Sequence, residues 1–249
     1  MAELRFDDRV AVITGAGRGL GRAYALLLAA RGAKVIVNDP GGAIRGEGGD
    51  AGPAADVVAE IKVLGGEAIA CTESVATPEG GRAIINCALD HYGRIDALIH
   101  NAGNVRYGSM KELSQDDFDA VLDVHLRGAF HVARPAFPIM CSAGYGRIVL
   151  TSSIGGLYGN ANCVNYAMSK SGMIGLNTIL ALEGEARVSG RISSCLVPSP
   201  AWRKVSTCPR IHRWGLNWSR RWSAGWRMRN ARSPARCWPR SQDGSRGSS

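Results

Sequence analysis

The segment Thr14-Gly15-Ala16-Gly17-Arg18-Gly19-Leu20-Gly21 constrains the fold of this chain more than any other. It stands between a β-branched run at 10–14 and an amphipathic stretch at 20–30. Glycines in such a place let the backbone turn tightly and approach a pyrophosphate, and the helix N-terminus beyond attracts the phosphate charge. That reading requires strands and helices to alternate along the chain. Further strand-like runs fall at 34–38, 68–70, 95–100 and 147–152, and helical ones at 54–64, 80–91, 114–140 and 165–182. The alternation predicts βαβ units and a Rossmann-like, doubly wound parallel α/β sheet. Residues 40–53 are Gly-rich with few large apolar groups and read as a mobile surface loop.

Composition narrows the class. The 249 residues are 45% hydrophobic, which suits one large globular domain or two small ones and excludes disorder throughout. Seven cysteines form no C-x-x-C pair, and Met1 to Asp8 lacks the charged and apolar regions of a secretory signal. A reduced, cytoplasmic protein is expected. No apolar run approaches the roughly 20 residues that span a bilayer, so no membrane partner is expected. The net charge of +9 is unevenly spread: residues 202–249 hold eleven Arg, one Lys, one acid (Asp243) and all six Trp. Upstream, 18 basic residues face 20 acidic ones. The chain therefore has two compositions, near neutral and then strongly basic.

Asp39 ends the second predicted strand, eighteen residues past Gly21, where a carboxylate accepts hydrogen bonds from adenosine ribose hydroxyls and repels a 2′-phosphate. This favours NAD over NADP. Arg18 in the glycine loop could instead contact a 2′-phosphate, but Pro40 rather than a base follows Asp39. Asp39 also reads as a turn residue before Gly41-Gly42. Asn101-Ala102-Gly103 follows the fourth strand, where small residues let the nicotinamide side of a dinucleotide lie against backbone. Ser74 and Val75, after the third strand, border the adenine by the same topology. No metal site is expected.

Ser153, thirteen residues before Tyr166, and Lys170, four after it, form S-x12-Y-x-x-x-K, with Tyr and Lys on one helix face. A phenol near pKa 10 is a poor base at neutral pH, and a nearby ammonium favours the phenolate. Tyr166 can then move a proton while Ser153 holds the substrate oxygen and hydride passes to or from nicotinamide. Lys170 would also hold the nicotinamide ribose. Both Tyr166 and Lys170 are thus cofactor contacts as well as catalytic candidates.

These motifs resemble the short-chain dehydrogenase/reductase family over residues 5 to about 185. The resemblance sharpens in GLGRAYALL at 19–27, VNDPGG at 37–42, VHLRG at 124–128 and LYGN at 157–160. Those segments are similar to the (3R)-hydroxyacyl-CoA dehydrogenase modules of multifunctional enzymes of type 2. The resemblance implies an NAD-dependent oxidoreductase of a secondary alcohol and ketone, with a 3-hydroxyacyl-CoA as substrate and a steroid or other bulky alcohol as the alternative. It also implies a homo-oligomer if the fold is complete. In the family an Asn relays a water to the catalytic Lys through its main-chain carbonyl. His125 takes that place here, as in the subgroup, and is expected to be a helper. His100 stands where the family usually has Asn, which puts the local hydrogen bonding in doubt.

Past Glu185 the family pattern G-I-R-V-N-x-I-x-P does not follow. Read in the neighbouring frame, Trp codons become Leu, Val or Met, and permitted codons for 187–196 can spell G-I-R-A-N-L-V-V-P. We therefore read 1–187 as the NAD-binding catalytic domain and 188–249 as an aberrant Trp/Arg/Ser-rich tail from a frameshift in the gene or its sequencing. A real shift would alter the sixth strand, remove the seventh and the substrate loop, and leave little turnover. The rival reading is an inactive nucleotide-binding remnant whose tail binds nucleic acid by phosphate contacts and stacking. The tail has no recognisable module for that, so a nucleic-acid partner is not favoured.

Overall fold

A computed structural model describes residues 4–188 and 192–198. The tail at 199–249 lies outside the described residues. Six parallel strands form one sheet in the order β3-β2-β1-β4-β5-β6: β1 Val10–Thr14, β2 Lys34–Asn38, β3 Glu67–Cys71, β4 Ala97–His100, β5 Gly146–Ser152 and β6 Ile192–Pro198. The order reverses beside β1, which opens a crevice between the carboxyl ends of β1 and β4.

Helices cover both faces of the sheet, while β3 at its edge leaves Glu67 and Ala70 exposed. β1 is buried at all five positions, the continuous apolar signature of a parallel sheet. Helices α1 Gly19–Ala30 and α2 Gly52–Val63 cover one face, packing Ala25, Ala29, Val57 and Ile61 against Ile13, Val35 and Val37. On the other face α3 Pro78–Tyr92 and α5 Gly128–Ser142 pack Ile84, Ile85, Ala133 and Met140 on Val12, Leu98 and Ile148. Ser114 caps α4 Gln115–Leu122 by accepting from the Asp117 N–H at 3.1 Å. A π-helical turn, Asp123–Arg127, joins α4 to α5.

Asp96, 3% exposed, fastens the far end of the sheet. Its carboxylate accepts from the Val10 N–H and from Arg9 and Arg94. Burial alone would raise its pKa, yet those donors together hold it below the ordinary carboxylate range.

Two sequence expectations change. The loop at 40–53 is tied down: Asp50 N–H donates to Pro40 at 3.1 Å, Val105 N–H to Ile44 at 3.1 Å, and Arg106 to the Arg45 carbonyl at 3.0 Å. The last two bonds come from a distant segment, which local composition does not reveal. The sixth strand, expected to be disrupted, also forms, paired with β5 from Gly146↔Ile192 to Ser152↔Pro198. Strand pairing uses backbone groups and tolerates a change of side chains.

Candidate active site

A cleft of about 450 Å³ lies at the carboxyl ends of the strands. Gly15, Arg18, Gly19, Asp39, Ser74, Val75, Asn101, Ala102 and Gly103 all line it. Leu20 and Gly21, also expected at the cofactor, do not. Gly21 serves packing instead: a Cβ there would lie 2.1 Å from the Gly15 carbonyl oxygen. Asp39 accepts from the Gly17 N–H at 2.9 Å and the Gly41 N–H at 2.8 Å. Asp39 thus holds the turn while lining the cleft, and its carboxylate is fixed against the glycine loop. Arg18 donates to the Gly42 carbonyl at 3.1 Å, which directs it across to the 40–53 loop.

A second cavity of about 210 Å³ shares Asn101, Gly103, Asn104 and Ile44 with the first and adds His125, Thr151, Tyr166 and Lys170. The two last side chains come from α7, Val164–Val188, which crosses the end of β5. Tyr166 is 7% exposed and Lys170 3%. The Lys170 ammonium nitrogen lies 5.5 Å from the centre of the Tyr166 ring and donates to the Thr151 carbonyl. Burial pushes the Lys170 pKa down to about 7.

Ser153 follows β5 and caps the short helix α6, Ile154–Tyr158, by accepting from the Gly155 N–H at 3.1 Å. That bond leaves its hydroxyl proton to be given elsewhere. A Cβ on Gly155 would lie 3.5 Å from Ser153 Oγ and 3.7 Å from Tyr166 Cε1, so hydroxyl and phenol border the same point. Tyr166 and Lys170 thus line one cavity, as their shared helix face predicts, and Ser153 approaches the Tyr166 ring across Gly155 without lining either cavity.

His125 sits on the π-helical turn with its ring edge-on to Tyr166, centroids 5.3 Å apart at 82°. Gly103 makes room for it, since a Cβ there would lie 2.4 Å from His125 Cε1. His125 Nε2 lies 2.8 Å from the Asn104 carbonyl and 3.1 Å from its N–H, and one tautomer satisfies only one of these. Burial and Lys170 hold His125 neutral. The main-chain carbonyl expected to relay a water already accepts from His100 Nε2 at 3.1 Å. That carbonyl keeps a second lone pair, which could still accept from a water.

Asn165 was missed by sequence reasoning. Its amide donates to the carbonyls of Arg106 and Asp117, both at 3.0 Å, and its oxygen accepts from the Tyr166 N–H at 2.8 Å. It fixes the entry of α7 against two distant segments. An Asn before a Tyr carries no signal of that kind. Among the described residues, no three His, Cys, Asp or Glu side chains group closely enough to hold a metal. Nor is any described helix long and apolar enough to cross a membrane.

A glycine loop at the head of a cleft, with a Tyr-Lys pair in the adjoining cavity, points to one class, and the short chain dehydrogenase family model matches residues 9–193. The chain belongs to that family, whose Rossmann fold generally uses NAD(P). It is 48% identical to peroxisomal multifunctional enzyme type 2 of Drosophila melanogaster over 201 residues, 81% of this chain and 33% of that one. It is 50% identical over 178 residues to a short-chain type dehydrogenase/reductase of Mycobacterium tuberculosis, 72% of this chain and 62% of that one. The chain thus spans from a third to under two thirds of the length of these relatives. A solved short chain dehydrogenase of Mycobacterium avium superposes with a TM-score of 0.70 at 39% identity, covering 79% of this chain and 69% of that one.

Proposed function

We propose that the chain is an NAD-dependent dehydrogenase that interconverts a secondary alcohol and a ketone, with a 3-hydroxyacyl-CoA as its substrate. The observation that carries this is the junction of two cavities, one bordered by Asp39 and the other by Tyr166 and Lys170. Similarity to a multifunctional enzyme type 2 supports the substrate class over a steroid or other bulky alcohol.

The cleft fits a dinucleotide: above Gly19 the space where a Cβ would stand is open, and the buried Asn38 Oδ1 at its wall has no partner. Asp39 would receive the adenosine ribose and exclude a 2′-phosphate by charge. When bound, nicotinamide supplies the hydride acceptor. The Tyr166 phenol oxygen takes the substrate hydroxyl proton, and Ser153 donates its own proton to the same oxygen to orient it. Lys170 holds the nicotinamide ribose and, when charged, favours the phenolate. The reverse reaction returns the proton from Tyr166 to the carbonyl oxygen.

The purified chain is expected to bind NAD at least about tenfold more tightly than NADP, the worth of one unfavourable charge contact of about 1.4 kcal/mol. Asp39→Ala should remove that preference. Equal affinity of the unaltered chain for both dinucleotides, measured by fluorescence titration, would contradict the assignment of NAD.

Residues 1–187 form the catalytic domain in this reading, and 188–249 are a tail read in a shifted frame. The composition change after residue 202 and the end of the family match at residue 193 support the shift. Sequencing the codons for Glu183 to Ser194 is expected to reveal a gained or lost base, and an intact frame there would overturn it; turnover is expected of the protein translated in the restored frame. Exposed Met168, Ile179 and Leu182 on α7 with Phe130 on α5 support a homo-oligomer. A reducing, cytoplasmic setting is proposed from the seven cysteines that form no C-x-x-C pair.

A further inference from the structure

We infer that His100 is a positioning residue of the catalytic site: as the Nε2–H tautomer, it ties Thr14 to the His125 main-chain carbonyl and fixes the π-helical turn that aims the His125 ring at Tyr166. His100 ends β4 and is fully buried. Its Nδ1 lies 3.1 Å from Thr14 Oγ1, and its Nε2 lies 3.1 Å from the His125 carbonyl oxygen.

The tautomer follows from donor counting. Thr14 Oγ1 lies 3.1 Å from both the Asn101 and the Ala102 N–H groups, which can only donate. The hydroxyl oxygen accepts those two bonds and so gives its single proton to Nδ1. Nδ1 is then bare, and the ring proton sits on Nε2, where the His125 carbonyl receives it. The opposite tautomer would press an N–H on an oxygen that already accepts twice and a lone pair on a carbonyl. Protonation is disfavoured too, because burial and the nearby Lys170 charge lower the His100 pKa to about 3.

One chain of hydrogen bonds thus runs from the backbone of the cofactor wall at 101–102, through Thr14 and His100, to the turn that carries His125. A π-helical turn interrupts the regular helical ladder and so gains from an outside anchor. The ring it presents packs on Gly103 and Tyr166. This inference rests on the dehydrogenase reading, in which Tyr166 moves the proton.

The test uses the full chain and two substitutions. His100→Phe keeps a ring without a donor, and His100→Gln keeps a donor for the carbonyl. With NAD and a 3-hydroxyacyl-CoA, H100F is expected to lower kcat about tenfold, the worth of one buried hydrogen bond, with NAD affinity changed by less than about twofold. H100Q should recover most of kcat. An H100F kcat equal to the unaltered chain, or H100Q as slow as H100F, overturns the inference. Nitrogen-15 imidazole spectra of the unaltered full chain decide it even if H100F does not fold. They should show a protonated Nε2 and a bare Nδ1 for His100, and a protonated Nδ1 overturns the proposal. If the unaltered chain shows no turnover, the dehydrogenase reading fails while the spectra still decide His100.

Discussion

Tyr166→Phe is expected to lower kcat by about 10²- to 10⁴-fold, the usual worth of a positioned general acid–base group, while NAD affinity stays within about twofold. The phenyl ring of the variant fills the same space against His125, so the fold around it should hold. Only the oxygen that exchanges a proton with substrate is lost. Ser153 cannot replace it, because its oxygen already accepts from the Gly155 N–H and its hydroxyl is an ordinary alcohol. Stopped-flow absorbance of reduced nicotinamide, with equilibrium NAD titration on the same protein, separates the two effects. A phenylalanine variant within tenfold of the unaltered kcat would show that Tyr166 is not the proton-transfer group.

Lys170→Met should also lower kcat by about 100-fold or more, and it carries a second signature in stability. Burial lowers the Lys170 pKa from its ordinary 10.5 to about 7. Between those values the unfolded chain binds a proton at this side chain that the folded chain does not, so this term makes stability rise with pH from 7 to 10.5. Below pH 7 both states are charged, and the folded one keeps the full cost of burying the ammonium. Met fills similar space without charge and removes that slope. Urea unfolding at pH 7 and pH 10 should therefore show the unaltered chain gaining on the order of 2–3 kcal/mol more than K170M across that interval. Other groups that titrate there are common to both proteins and cancel in the comparison. Equal gains in the two proteins would mean that Lys170 is not buried as described.

The sequence reveals most where chemistry is local. The glycine loop lies between β1 and α1, Asp39 follows β2, and the Y-x-x-x-K spacing falls on one helix face, because each depends only on near neighbours and on period. The site residues that escaped notice depend on distant partners. Asn165 is meaningful only beside the carbonyls of Arg106 and Asp117, 59 and 48 positions away. The π-helical turn is hidden because the apolar period from 115 to 142 reads as one helix, and a single added residue in the ladder barely disturbs it. His100 was visible as a departure from the family, but its tautomer depends on Thr14, 86 positions earlier. The loop at 40–53 misled for the same reason, since its anchors are Val105 and Arg106.

The most direct test of the dehydrogenase reading is label transfer by the protein translated in its restored frame, with no substitution. A 3-hydroxyacyl-CoA carrying deuterium on the hydroxyl-bearing carbon is incubated with NAD, and the reduced nicotinamide is examined by mass spectrometry. One deuterium is expected in the reduced dinucleotide and a ketone at the labelled carbon, both formed at least about 100-fold more slowly when Tyr166 is replaced by Phe. Failure to label either NAD or NADP, in a chain shown to bind the dinucleotide, would contradict it.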